Sequence, residues 1–133
     1  MAGPNDITLV QHAVHNPDEP RHFMRMVRAA GNRRASIGDQ VIVDSASATV
    51  VKEVGHDIYD PVVYFPRADV DMDLLIPIDK STHCPLKGDT EYFDIRIGET
   101  TVTEAAWSYV DMVAGAEPLQ HLIAFDTRKV TIQ

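Results

Sequence analysis

From position 33 onward, apolar and polar residues alternate with the period of β-strands rather than that of helices. The segments 35–37 and 40–43 flank a Gly-Asp dipeptide, which favours a tight hairpin turn. Two valine-rich segments, 48–54 and 61–65, predict the next two strands. The first half of this region is therefore expected to form short antiparallel strands.

The clearest strand of the second half covers residues 91–97. Its apolar residues Phe93, Ile95 and Ile97 alternate with polar ones, so one face is expected to be buried. The other expected elements are a strand at 100–103, a hairpin of 122–125 with 129–132, and short helical segments at 68–75 and 117–121. Together these elements predict a mainly β protein, a compact single domain of short antiparallel strands with short helices.

Residues 20–30 have a different pattern, which predicts an amphipathic helix. Asp18-Glu19-Pro20 is typical of a helix start and Gly31-Asn32 of a helix end. Apolar residues recur at i, i+3, i+4 and i+7, namely Phe23, Met26, Val27 and Ala30. We therefore divide the chain into an N-terminal extension, 1–32, and a core domain, 33–133. The helix is expected to pack on the domain or on a second subunit, which would give a homodimer.

Length and composition limit the class of protein. With 133 residues, 44% of them hydrophobic and 24% charged, the chain is expected to fold as one domain without disulfides or structural metals. Its single cysteine cannot form an internal disulfide or the cysteine pairs of a structural zinc site. No signal peptide and no membrane-spanning run is recognisable, so we expect a cytoplasmic protein with no membrane partner.

The net charge of −8 is unevenly distributed. Residues 1–38 hold five arginines and three acids, whereas residues 39–133 hold 7 basic and 17 acidic groups. An acidic main body repels phosphate backbones, so no nucleic-acid partner is expected.

Cys84 is the leading candidate for a reactive side chain. A reactive thiolate needs positive charge or hydrogen-bond donors nearby, and His83 and Lys87 are the local candidates. In extended backbone, however, His83 and Cys84 would point to opposite faces, which makes His83 a poor direct base. Cysteine is also among the most buried residue types, so simple packing is the alternative interpretation.

Four aromatic residues form a second candidate group. They are Tyr64, Tyr92, Trp107 and Tyr109. They can serve as core packing, or they can form the wall of a ligand pocket in which Lys87 and a tyrosine hydroxyl fix the orientation of the ligand.

Two further patterns suggest metal chemistry but lack the context for it. Asp69, Asp71 and Asp73 alternate as in a nucleotidyltransferase carboxylate pair, yet no Gly-Ser phosphate-binding turn precedes them, and acids in a first helical turn are common. His12 and His15 could hold a metal ion, but they lie in a short N-terminal lead, and terminal segments are often poorly ordered. No glycine-rich phosphate loop is present. We therefore predict no metal and no cofactor.

Four separated motif blocks occur in an order that resembles the bacterial domain-of-unknown-function 427 family. They are Tyr64-Phe65-Pro66 with Asp69-Val70, the 82–89 segment Thr-His-Cys-Pro-Leu-Lys-Gly-Asp with Tyr92-Phe93, Ala105-Ala106-Trp107-Ser108-Tyr109, and Ala124-Phe125. The chain departs from the family at position 121, which is His where Gly is usual. The resemblance implies a β-tent fold, as in methionine sulfoxide reductase B and Mss-four-like proteins. It implies no activity, although the family is sometimes labelled nucleotidyltransferase-like by name.

Three functional hypotheses remain. The first is a small-molecule binding domain with its pocket around the 83–88 loop and Trp107. The second is an enzyme that uses Cys84 as a nucleophile or redox thiol, assisted by Lys87 and His83. The third is an interaction module that acts through the N-terminal helix.

Overall fold

The computed structural model describes residues 9–133, and within them it contains twelve strands and three single-turn 3-10 helices. The 3-10 helices cover Arg67–Asp69, Met72–Leu74 and Glu117–Leu119. The strands are β1 (Val14–Asn16), β2 (Glu19–Arg28), β3 (Arg33–Ile37), β4 (Gln40–Ser45), β5 (Thr49–Val54), β6 (Val62–Tyr64), β7 (Leu75–Ile78), β8 (His83–Cys84), β9 (Gly88–Ile97), β10 (Thr100–Met112), β11 (Ala124–Phe125) and β12 (Thr131–Ile132). No helix in this part of the chain is long and apolar enough to cross a membrane.

The strands form three antiparallel sheets. The first has the order β1-β2-β5-β6, the second β11-β10-β9-β7 with β8 also beside β9, and the third β12-β3-β4. The mainly β prediction is confirmed, as is the β3–β4 hairpin, in which Ile37 pairs with Gln40. The predicted hairpin of 122–125 with 129–132 is wrong, because β11 pairs with β10 and β12 pairs with β3.

The predicted N-terminal helix is wrong, because residues 19–28 form strand β2. This strand pairs with β5 from Phe23↔Val54 to Arg28↔Thr49. The inward side chains follow a period of two: Met24 is fully buried, and His22 and Met26 are partly buried on the same face. The backbone bonds that β5 provides outweigh a local helical pattern of only four apolar residues. The helical dimer face is therefore absent, and the homodimer itself stays a prediction.

The core consists of two clusters that meet at the end of β6. The larger cluster includes Phe65, Phe93 and Phe125, and the rings of Phe65 and Phe125 lie 5.7 Å apart at 63°. The smaller cluster lies under β2 and β5 and includes Met24 and Tyr64. Because neighbouring residues in extended chain point to opposite sides, Tyr64 and Phe65 extend into different clusters and connect them.

Strand β10 contains a bulge that matters for the site. Its register with β9 shifts between Val102 and Ala106, and Glu104 within this interval has a φ of +48°. The amide of Glu104 donates to Asp94 Oδ1 at 2.8 Å, which holds the bulge in place. Bulges redirect side chains, and here the Glu104 carboxylate reaches Lys80 Nζ at 3.0 Å.

His121 also has a positive φ, of +66°. Its amide donates to the carbonyl of Tyr109 at 2.9 Å, and its own carbonyl accepts from Arg67 Nε at 3.1 Å. The left-handed conformation explains why glycine suits this position, and the two hydrogen bonds hold the histidine backbone there.

Candidate functional site

A cavity of about 600 Å³ opens where the four motif blocks meet, and we call it the aromatic cavity. Its walls include the side chains of Tyr64, Tyr92, Lys87, Trp107 and Tyr109, and Phe125 of the last motif block also lines it. Five of the seven residues predicted for the site from the sequence therefore lie around one space. The other two, His83 and Cys84, do not line this cavity.

The aromatic walls follow from strand geometry. Trp107 and Tyr109 are two residues apart on β10 and so face the same side. Tyr92 on β9 is the register partner of Trp107, and their rings lie 6.4 Å apart at 32°. These pairings place a tilted aromatic pair along one side of the cavity.

Tyr64 and Tyr109 form a buried part of the cavity wall. Their rings lie 6.4 Å apart, and their residues are only 2% and 9% exposed. Burial is the main cause that raises the pKa of both hydroxyls above the ordinary value of 10.0. Both tyrosines therefore stay protonated at neutral pH and can act as hydrogen-bond donors.

Lys87 is a buried cation on the cavity wall. Its side chain is 7% exposed, and its Nζ donates to Glu53 Oε1. The same nitrogen lies 3.8 Å from Cys84 Sγ and 5.8 Å from the centre of the Tyr109 ring. The turn that carries it is fixed by backbone bonds from Lys87 to the Cys84 carbonyl at 3.2 Å and from Val113 to the Lys87 carbonyl at 2.9 Å.

Glu53 connects Lys87 to His22. The second carboxylate oxygen, Oε2, accepts from His22 Nε2 at 2.9 Å. Burial by itself would raise the pKa of Glu53, but the hydrogen bonds from Lys87 and His22 outweigh it and hold the pKa below the ordinary 4.5. Each oxygen of a negative carboxylate therefore has its own partner, in a hydrogen-bonded chain that we call the His22–Glu53–Lys87 chain.

Sequence reasoning missed Glu53 and His22, although a signal existed for each. Glu53 is two residues from the buried Val51 on β5, so it shares the inward face. His22 is two residues from the buried Met24, and Met24 is the register partner of Glu53. An acid on the inward face of a strand needs a cationic partner, which in the structure is Lys87.

The second end of this chain reaches another cavity, of about 660 Å³. Its lining includes His22, His56 and Pro85 but not Lys87. Glu53 therefore lies between His22 at one cavity and Lys87 at the other.

The lining of the aromatic cavity is richer in cations than the chain as a whole. The cationic lining residues are Arg33, Lys80, Lys87, Arg128 and Lys129, and the acidic ones are Asp60, Glu104 and Asp126. Lys80 Nζ lies 4.5 Å from the centre of the Tyr92 ring, above the aromatic wall. The lining therefore has a small cationic excess, in contrast with a net charge of −8 for the whole chain. Lys80 and Lys87 are each paired with a carboxylate, of Glu104 and Glu53 respectively.

His83 and Cys84 point apart, as alternation in an extended strand predicts. His83 is exposed, and its Nδ1 lies 2.7 Å from Asp89 Oδ1. Cys84 is partly buried and packs against the smaller core cluster. His83 is therefore paired away from the thiol, and the cation beside Cys84 is Lys87, whose Nζ lies 3.8 Å from Sγ.

Asp69 of the acidic run and His15 of the N-terminal lead have structural partners. Asp69 Oδ2 accepts from Ser45 Oγ at 2.6 Å, and both ring nitrogens of His15 lie within 2.8 Å of backbone carbonyls. Among residues 9–133 there is no group of three or more His, Cys, Asp or Glu side chains that could hold a metal ion.

Comparison with known families gives one match. No curated protein matches the chain. The model of the family described as "Domain of unknown function (DUF427)" matches residues 25–133, which includes part of β2 and every side chain of the aromatic cavity. The chain therefore belongs to the family of domains of unknown function named DUF427.

Proposed function

We propose that the protein binds a small, planar, anionic molecule in the aromatic cavity. The observation that carries this proposal is the convergence of Tyr64, Tyr92, Trp107 and Tyr109 on one space beside the buried Lys87. A volume of about 600 Å³ lies within the range of small-molecule sites, which combine apolar walls with a few fixed polar groups.

The charge of the lining favours an anion. Lys80 at the mouth and Lys87 inside are both cations, and the protonated hydroxyls of Tyr64 and Tyr109 are neutral donors. Donors and cations stabilise carboxylate or phosphate oxygens, whereas the aromatic pair Tyr92–Trp107 favours a flat apolar body. A planar carboxylate has both features.

We propose that the three antiparallel sheets form a β-tent of the Mss-four-like type, supported by the order of the motif blocks. Cys84 is the single cysteine, so a metal site made of cysteine pairs has no counterpart in this chain.

Trp107 is the only tryptophan of the chain, so its fluorescence reports directly on the cavity. We expect planar aromatic carboxylates such as naphthoate to change this fluorescence saturably. Each matched carboxamide should bind roughly tenfold more weakly or worse, since a hydrogen bond to a charged group contributes about 1.5–3 kcal/mol. The measurement is a fluorescence titration at low and high salt.

Lys80→Gln should weaken carboxylate binding severalfold, because it removes a cation from the mouth. Arg96→Gln removes the same charge from an exposed residue that does not line the cavity, and should have no effect. Equal binding of carboxylates and carboxamides would disprove the anion preference. A Trp107 signal that no planar compound changes at millimolar concentration would disprove the ligand site.

Thiol chemistry at Cys84 is a second candidate, favoured by the 3.8 Å distance from Lys87 Nζ to Sγ. Because Cys84 packs in the smaller core cluster, we expect iodoacetamide to alkylate it more slowly in the folded protein than in denaturant. Mass spectrometry at several pH values measures both rates. Faster labelling of the folded protein near pH 7 would instead favour a functional thiol.

A further inference from the structure

Lys87 combines two properties that a purely structural ion pair does not require. Its amine is buried against Glu53, and it also lines a cavity large enough for a ligand. Lysine is almost never fully buried unless it is paired, so the pair with Glu53 explains the burial. The pair does not explain why the amine faces an aromatic space of about 600 Å³.

Glu53 lies within hydrogen-bonding distance of the Lys87 amine, as a partner in proton transfer must. Its Oε1 accepts from Lys87, and its Oε2 accepts from His22, which belongs to the lining of the second cavity. Glu53 can therefore take a proton from Lys87 while His22 keeps the carboxylate oriented. The protonated hydroxyls of Tyr64 and Tyr109 line the same cavity and can donate to an oxygen that develops negative charge there.

We propose that Lys87 forms an imine with a carbonyl group of the ligand, and that Glu53 moves the protons of this reaction. The proposal rests on the function proposed above, and it narrows the ligand to planar anionic aldehydes or reactive ketones. The buried amine, its carboxylate partner and the donors are all provided by this chain.

The chemistry balances without any other reactant. The Lys87 ammonium gives one proton to the Glu53 carboxylate, and the free amine attacks the carbonyl carbon. The carbonyl oxygen takes the second amine proton to give a neutral carbinolamine. Glu53 then returns its proton to the hydroxyl, which leaves as water. The products are an iminium cation, a Glu53 carboxylate and one water molecule, so the ion pair is restored.

The test uses the full chain with 4-formylbenzoate, a planar aldehyde that carries a carboxylate. Borohydride reduces an imine to a stable secondary amine, and peptide mapping by mass spectrometry locates it. The chain has four lysines, and Lys52, Lys80 and Lys129 are more exposed than Lys87. Lys52 does not line the aromatic cavity and is therefore the internal control. We expect one adduct per chain, on Lys87, when the aldehyde is equimolar with the protein.

Two variants test the roles of the individual groups. Lys87→Arg keeps a cation beside Glu53 but cannot form an imine, so it should abolish the adduct. Glu53→Gln keeps the side-chain size but cannot accept the proton, so capture should slow by about 100-fold or more while Trp107 still responds to the ligand. Circular dichroism on each variant verifies that it is folded.

The outcomes distinguish this proposal from the one on which it rests. Selective modification of Lys87 supports the imine. A Trp107 response without an adduct, or an adduct only on the exposed lysines, overturns the imine and leaves the binding function standing. If Trp107 does not respond and no adduct forms, both proposals are overturned.

Discussion

Replacing Gly88 with alanine is expected to destabilise the protein by at least about 4 kcal/mol, which would leave little of it folded. Gly88 begins β9 directly after Lys87 and has a φ of +130°. A Cβ at this position would overlap the carbonyl oxygen of Asp111 and lie 2.9 Å from its carbonyl carbon. Both obstacles belong to the β10 backbone, which cannot move without breaking its pairing with β9.

Gly98→Ala is the matched control for this prediction. Gly98 also has a positive φ, of +60°, but nothing lies within 4 Å of an added Cβ. Gly98→Ala should therefore lower the free energy of unfolding only by the cost of the left-handed conformation, about 1–2 kcal/mol. Urea denaturation of both variants measures the difference. Equal losses of stability in the two variants would show that the close approach of the Asp111 carbonyl does not contribute to the effect of Gly88→Ala.

Glu53→Gln is expected to lower the free energy of unfolding by about 3–5 kcal/mol, because it leaves the Lys87 ammonium buried without a counter-charge. Lys87→Met should cost less, since Glu53 would keep its hydrogen bond from His22. The two substitutions together should cost less than the sum of their separate effects, because the second removes a group that the first left unpaired.

The loss should also depend on pH. The pKa of Glu53 is lower in the folded protein than the ordinary 4.5, so the negative form stabilises the fold. This stabilisation is fully present above pH 4.5 and is lost as the pH falls through the folded-state pKa. The difference in free energy of unfolding between wild type and Glu53→Gln should therefore be large at pH 7 and shrink in acid.

Glu104→Gln provides the exposed counterpart. Glu104 makes the same kind of pair with Lys80, but the two side chains are 49% and 37% exposed. Solvent screens such a pair, so the expected loss is about 0–1 kcal/mol. A loss as large as that of Glu53→Gln would contradict the assignment of the larger effect to burial.

Local patterns were sufficient to predict several strands of the main body, but not β7 or β8. The β3–β4 hairpin and the half-buried strand containing Phe93 and Ile95 depend on alternation and on turn residues, both of which are local. The residues of strand β2 have a helical pattern of their own, and the partner that makes them a strand, β5, lies some 25 residues away in the chain. A strand stabilised mainly by a distant neighbour need not show its conformation in its own residues.

The candidate site was predictable only in part, for a similar reason. Tyr64, Trp107 and Lys87 belong to the motif blocks that carry the resemblance to the family. The sequence therefore indicates them as site candidates. Glu53 and His22 lie outside these blocks, and their importance comes from a strand pairing that brings them together. Cys84 attracted attention as a single reactive residue type, yet the group that faces the cavity is its neighbour Lys87.

The pairing of β12 with β3 also determines when the cavity forms during folding. Arg33 Nε donates to the carbonyl of Gln133, 100 residues later, and both Arg33 and Ile132 line the cavity. Contacts between such distant residues slow folding, because a long loop must close before they form. The cavity is thus completed only when the last strand docks. A ligand of this cavity would select the fully closed molecule over partly folded chains and protect it from proteolysis.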